Sequence, residues 1–237
     1  MNILIFLRRF LSDYWVTSNT IRYRIELRAL LSCIDHIPMS ERQGVLADLG
    51  AGSGEMSRRL FKQGNWKQLI GIEYDDSNFK TLINNYSNLS YAISKQGSLL
   101  DLPLESCSVD WVLSTQVLEH ITDHQKAVSE IHRILKPGGY ALISVPHPPE
   151  IFPNPGHVRP GYSEDQLKDL FNSCQFSFLG SRYFFIIKTL RRIAAVEEFP
   201  ILRFLCTLSE IDCEKALSEN EIKSSQPYGI VVLFKKT

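Results

Sequence analysis

From Val45 onward this chain alternates short apolar runs with longer amphipathic stretches, and that alternation confines it to one kind of architecture. A parallel strand buried on both faces reads as an unbroken aliphatic run, and consecutive parallel strands need a crossover between them, usually a helix. The apolar runs at 45–49, 68–73, 90–96, 108–114 and 140–145 read as such strands, with helices at 54–63, 77–86 and 119–135 among them. Lys136-Pro137-Gly138-Gly139 is a helix stop and a turn into the fifth strand. Residues 1–40 read as helical, with Ile21, Ile25, Leu27, Leu31 and Ile34 at helical spacing and Pro38 as the break. Six prolines between Pro146 and Pro160 mark a long irregular loop, and Ser163 with Gln166 forms a capping box for a helix over 163–174. Residues 176–185 read as a strand, 186–220 as helical and 228–235 as a last buried strand.

In an open parallel sheet, ligands bind outside the carboxyl ends of the strands. The first strand here ends in Asp48-Leu49-Gly50-Ala51-Gly52-Ser53-Gly54, and a helix follows at once. Its spacing is Gly-x-Gly-x-Gly, whereas the dinucleotide fingerprint is Gly-x-Gly-x-x-Gly. Asp48 before the loop would repel a pyrophosphate but suits a ligand carrying an ammonium and a sulfonium. The second strand ends in Glu73, a carboxylate able to accept ribose hydroxyls, which by itself says only that the ligand contains adenosine.

With these motifs in order, the chain resembles the class I S-adenosylmethionine (SAM)-dependent methyltransferases of the small-molecule type, similar to the "methyltransferase domain 11" group. Val45–Gly54 matches the family's first motif and Gly71–Asp75 its second. Gly97–Pro103 with Ser108–Leu113 matches the stretch around the third and fourth strands, and Gln116–His120 and Leu135–Gly139 match the segments beyond. The resemblance implies a Rossmann-like, seven-stranded, mostly parallel sheet with helices on both faces. Its antiparallel last strand would insert beside the fifth, with N-terminal helices and a C-terminal helical lid added. It implies one domain over 1–237, with a SAM-binding core at 44–145, a helical extension at 1–40 and the acceptor side at 146–237. For the cofactor it implies that Gly50, Gly52 and Gly54 line the methionine end, that Asp48 orients it and that Glu73 takes the ribose. Tyr74 would pack on the adenine, Ser98 and Leu99 would edge it, and Thr115 would meet the amino group. The family commonly has Asp where this chain has Ser98, so that contact is weaker than a charge-assisted one.

Methyl transfer from a sulfonium needs mainly alignment of the acceptor, and a hydroxyl or acidic carbon acceptor also gains from a general base. His120, His147 and His157 fall at strand ends or in the proline-rich loop and are the candidate bases, with Glu119, Arg159 and Tyr162 as further pocket residues. Segments 1–40, 146–162 and 183–220 carry Phe6, Phe10, Tyr14, Trp15, Ile151, Phe152, Phe184, Phe185, Ile186, Phe199 and Phe204, which either pack as a small helical lid or point to an apolar or lipid-linked acceptor; a glycan compound is the other acceptor class expected.

Lys plus Arg equals Asp plus Glu at 26 each, so no net field favours a polyanion and no nucleic acid partner is expected. Five scattered cysteines without a Cys-x-x-Cys pair exclude a zinc ribbon or a disulfide framework, and the location expected is the cytoplasm. Met1–Leu11, apolar with Arg8 and Arg9, suits an interfacial helix in peripheral contact with the inner membrane surface. Two other readings compete with the methyltransferase. One is a non-catalytic fold relative acting as an interaction protein. The other is an NAD(P)-dependent oxidoreductase, which would need neither Asp48 nor the later motifs. Neither oligomeric state nor acceptor is set by these residues.

Overall fold

The computed structural model describes residues 18–149, 154–186 and 218–237. Seven strands form one sheet in the order β3-β2-β1-β4-β5-β7-β6. They are β1 (Gln43–Leu49), β2 (Asn65–Glu73), β3 (Ala92–Gln96), β4 (Val109–Thr115), β5 (Leu135–Pro146), β6 (Phe176–Ile186) and β7 (Pro227–Lys236). The first five are mutually parallel, and β7 runs antiparallel between β5 and β6. The Rossmann-like sheet expected from the sequence is therefore present, with the last strand inserted beside the fifth. Strand order reverses between β1 and β4, which opens a crevice at their carboxyl ends.

Period-two alternation along the central strands feeds two cores. Val112 of β4 and Ala141, Ile143 and Val145 of β5 face one side, under α4 (His124–Ile134) and α5 (Glu164–Asn172). Trp111, Leu113, Tyr140 and Leu142 face the other, under α1 (Ser18–Ile34), α2 (Glu55–Phe61) and α3 (Asp76–Tyr86). Helix starts follow their caps. Asp75 accepts from the N–H groups of Ser77 and Asn78, and Ser163 and Gln166 close the expected capping box on α5.

Two expectations are corrected. Residues 119–135 do not form one helix: Leu118–His120 is a single 3-10 turn, and α4 starts only after Asp123, whose carboxylate caps the Lys126 N–H. The cause is tertiary, because Arg159 donates to the carbonyls of Leu118, Ile121 and Thr122 and so takes acceptors a continuous helix would use. The fifth strand begins at Leu135, not 140; Leu135 pairs with Val109 and Tyr140 with Trp111, so Lys136–Gly139 bulge out of the ladder.

Phe184 and Phe185, expected on the acceptor side, are buried in the core that α1 covers, and Ile186 is buried as well. Of the stretch 186–220 expected to be helical, Ile186 instead ends β6, residues 187–217 lie outside the described residues, and Glu219 opens α6 (Glu219–Ser224). Phe6, Phe10, Tyr14 and Trp15 with the Met1–Leu11 segment, Ile151 and Phe152, and Phe199 and Phe204 also lie outside them. Among the described residues no helix is long and apolar enough to cross a membrane.

Candidate active site

The glycine loop leaves β1 and enters α2 within six residues, which forces its backbone into left-handed conformations. Gly52 has φ +54, and an added Cβ there meets nothing within 4 Å, so a side chain would project into open space. Gly54 has φ +74 and rests on α3: an added Cβ would lie 2.4 Å from the Tyr86 ring. The loop is thus bare on the cavity side and packed beneath.

Glu73, at the end of β2, faces this loop. One carboxylate oxygen accepts the Gly52 N–H at 2.7 Å, and the other accepts those of Tyr74 and Asp75, each at 2.9 Å. A carboxylate offers about four acceptor positions, so three N–H donors leave roughly one for a ligand. Holding both ribose hydroxyls therefore requires Glu73 to share or release one of these backbone contacts.

Asp48 lies beneath the loop. It is 1% exposed, and its Oδ1 has no hydrogen-bond partner. Burial raises its pKa to about 7, opposed by a hydrogen bond from Ser57, while the neighbouring Glu73 charge raises it further. A buried acceptor left over beside a bare loop fits a ligand that brings a positive charge.

A cavity of about 790 Å³ opens at these strand ends. Gly50, Ala51, Gly52 and Ser53 line it, with Glu73 and Tyr74 from the end of β2, Ser98 and Leu99 after β3, and Thr115 of β4. Seven of the nine residues the sequence assigned to the cofactor therefore share one wall. Asp48 and Gly54 are the other two: Asp48 is buried beneath the loop, and Gly54, at its end, packs on α3. Ser98 pairs with Asp101 and accepts the Leu100 N–H at 3.1 Å, so its hydroxyl is already engaged in the turn.

The three histidines separate. His120 lines the cavity with Gln116, Val117, Ile121 and Thr122. His157 lies behind it, its ring 4.6 Å from that of His120 and its Nε2 4.0 Å from Glu119. His147 is not on the cavity wall; its ring packs edge-on against Tyr183 at 5.2 Å, and burial with Lys223 nearby lowers its pKa. Glu119 is fully buried, and Arg159 and Tyr162 brace the 118–122 turn, with Arg159 donating to the Tyr162 hydroxyl at 2.7 Å.

Sequence reasoning missed Glu26 and Tyr23 of α1, which also line the cavity. Glu26 is 1% exposed and accepts from the Ser144 hydroxyl at 2.6 Å and the Gln116 amide at 3.2 Å. The available signal was a carboxylate beside Ile25 and one turn before Leu30, on a face otherwise apolar. Gln116 itself has φ +57, a left-handed conformation that turns its amide toward α1.

Known proteins resemble this chain in sequence and in fold. Residues 47–143 match the "Methyltransferase domain" family. A probable S-adenosylmethionine-dependent methyltransferase of Mycolicibacterium smegmatis is 35% identical over 99 residues, 39% of this chain and 37% of that protein. A dimethylglycine N-methyltransferase of Parasynechococcus marenigrum is 31% identical over 125 residues, 51% of this chain and 42% of that protein. The matches span only about two fifths of these curated relatives. The structure of a putative sarcosine dimethylglycine methyltransferase from Galdieria sulphuraria superposes with a TM-score of 0.65 at 19% identity, covering 90% of this chain and 85% of that one. Motif order, sheet order and the matched core agree: residues 47–143 match the methyltransferase domain family, and the chain has the fold of the class I methyltransferases.

Proposed function

We propose that this chain transfers a methyl group from SAM to a small-molecule acceptor, at a hydroxyl or an activated carbon. The observation that carries this reading is the single cavity in which the bare Gly50–Ser53 loop, the Glu73 carboxylate and Thr115 share one wall while His120 and Glu26 stand on another. The cofactor supplies a methyl group made electrophilic by a positively charged sulfur. Gly50, Gly52 and Thr115 hold the methionine end, Asp48 sets the charge beneath it, and Glu73, Tyr74, Ser98 and Leu99 hold the adenosine. His120 is the group placed to take the acceptor proton as the acceptor–carbon bond forms and the carbon–sulfur bond breaks. His157 stands behind that ring, and His147 is assigned no contact with the acceptor.

Tyr23, Glu26, Gln116 and His120 make the acceptor wall rich in hydrogen-bonding groups. That supports an acceptor carrying hydroxyls, free or on a glycan or lipid-linked compound.

The test is calorimetric titration of SAM and S-adenosylhomocysteine into the full chain, with Glu73→Ala and NAD as controls. Micromolar binding that is lost in Glu73→Ala, with NAD silent, is the expected result. Absence of binding by either sulfur ligand overturns the reading and leaves a fold relative that acts through partners.

A further inference from the structure

Beside the cavity, two chain segments bring three metal-ligating side chains together. Glu119 and His120 sit on the turn after β4, and His157 comes from the strap at 154–162. One donor atom from each lies within 4.8 Å of the other two. Both segments are tied in place: Val158 donates to the Glu119 carbonyl at 3.0 Å, and His157 donates through its backbone to Asn154 at 2.9 Å. Arg159, the nearby cation, directs its guanidinium at the carbonyls of the turn.

The tautomer of His120 follows from its partner. Its Nδ1 lies 2.8 Å from the carbonyl oxygen of Gly156, which can only accept, so Nδ1 carries the hydrogen and Nε2 holds a lone pair. Metal-binding histidines are oriented in this way, by a hydrogen bond from the ring nitrogen that does not ligate. Ligand bonds of about 2.1 Å in a tetrahedral site place donors ~3.4 Å apart. The 4.0 Å separation of His157 Nε2 and Glu119 Oε1 thus needs to close by about half an ångström, and a donor pair at the 4.8 Å bound by about 1.4 Å.

We infer that Glu119, His120 and His157 form a binding site for a borderline divalent transition metal such as Zn²⁺, with three protein ligands and a fourth position open. Two imidazoles and one carboxylate suit that class and not Mg²⁺ or Ca²⁺, which take oxygen ligands. The binding itself is independent of methyl transfer. Its consequence rests on the proposed function: a metal on the His120 ring occupies the lone pair that would accept the acceptor proton, so occupancy inhibits transfer.

The experiment titrates Co²⁺ into the metal-stripped full chain, follows the visible d–d absorption and displaces the ion with Zn²⁺. S-adenosylhomocysteine binding is measured on the same samples. The expected result is one equivalent of Co²⁺, with affinity at least tenfold weaker in His157→Ala and in Glu119→Gln while S-adenosylhomocysteine binding is kept. If Glu119→Gln does not fold, His157→Ala decides. Binding only at millimolar Co²⁺, or equal affinity in His157→Ala, overturns the site and leaves Glu119 and His157 as a structural pair. Sulfur-ligand binding without metal binding defeats this inference alone, and metal binding without it defeats the proposed function alone.

Discussion

The Glu73 carboxylate accepts the Gly52 N–H at 2.7 Å, so the end of β2 holds the glycine loop from the side. One carboxylate therefore shapes the loop and lines the cavity, and a mutation tests both. Glu73→Gln can keep the Tyr74 and Asp75 contacts with its carbonyl but turns an amide NH₂ toward the Gly52 N–H. Hydrogen bonds to a charged group are worth about 1.5–3 kcal/mol, so S-adenosylhomocysteine should bind roughly 10–100-fold more weakly. Calorimetry checks this, and unchanged affinity would mean that Glu73 is not at the ligand.

Gly52→Ala should separate folding from binding. An alanine at φ +54 costs about 1–2 kcal/mol, and its methyl group meets no protein atom within 4 Å. The variant should fold, with a modestly lower melting temperature, and lose most of its affinity for the cofactor. Gly54→Ala, with its Cβ 2.4 Å from the Tyr86 ring, adds overpacking of about 1–3 kcal/mol and should be the less stable of the two.

Asp48 makes ligand-free stability depend on pH in a defined direction. Burial raises its folded-state pKa from 3.8 to about 7. Its contribution is complete below the unfolded value and is lost as pH rises through the folded one, so it weakens the protein from about pH 4 to pH 7. Asp48→Asn should flatten that slope and stabilise the ligand-free protein at pH 8 by roughly 2–4 kcal/mol, read by urea unfolding at several pH values. A variant with the wild-type slope would show that Asp48 does not titrate in this range.

Glu130 acts in the opposite sense. Arg133, hydrogen-bonded to it at 2.7 Å, holds its pKa down at about 2, against an ordinary 4.5, helped by the Leu102 N–H and by Lys126. Stability from this pair is present above the unfolded value and lost as pH falls from about 4.5 toward 2. Glu130→Gln should cost roughly 2–3 kcal/mol at pH 7 and little at pH 2.5, measured by denaturant unfolding.

Once an acceptor is in hand, His120→Ala should lower kcat by between about 100-fold and 10,000-fold with cofactor affinity kept. His147→Ala, whose ring packs on Tyr183, should leave kcat near the wild-type value. The reverse ranking, from steady-state kinetics, would move the base to the other ring.

The strands and the glycine loop were legible because they are local in cause. Strand burial writes continuous apolar runs, and the loop glycines and Glu73 sit at fixed distances from strand ends; Tyr74, Ser98, Leu99 and Thr115 were named only through the family resemblance, and all of these but Gly54 line the cavity. The insertion of β7 between β5 and β6 was legible only through the family resemblance. What remained was decided by contacts between distant segments. Arg159 breaks the 119–135 helix from 37–41 residues away, and Glu26 reaches Ser144 across 118 residues. His120, His147 and His157 were all candidates in sequence, and packing of the 154–162 strap put His120 on the cavity wall and His157 behind it. Periodicity encodes which face of an element is buried; it does not encode which distant side chain will meet that face. The part of the cavity lined by Glu26, Gln116 and His120 is made of such meetings, whereas the part lined by Gly50–Ser53, Glu73 and Thr115 comes from the ends of single strands.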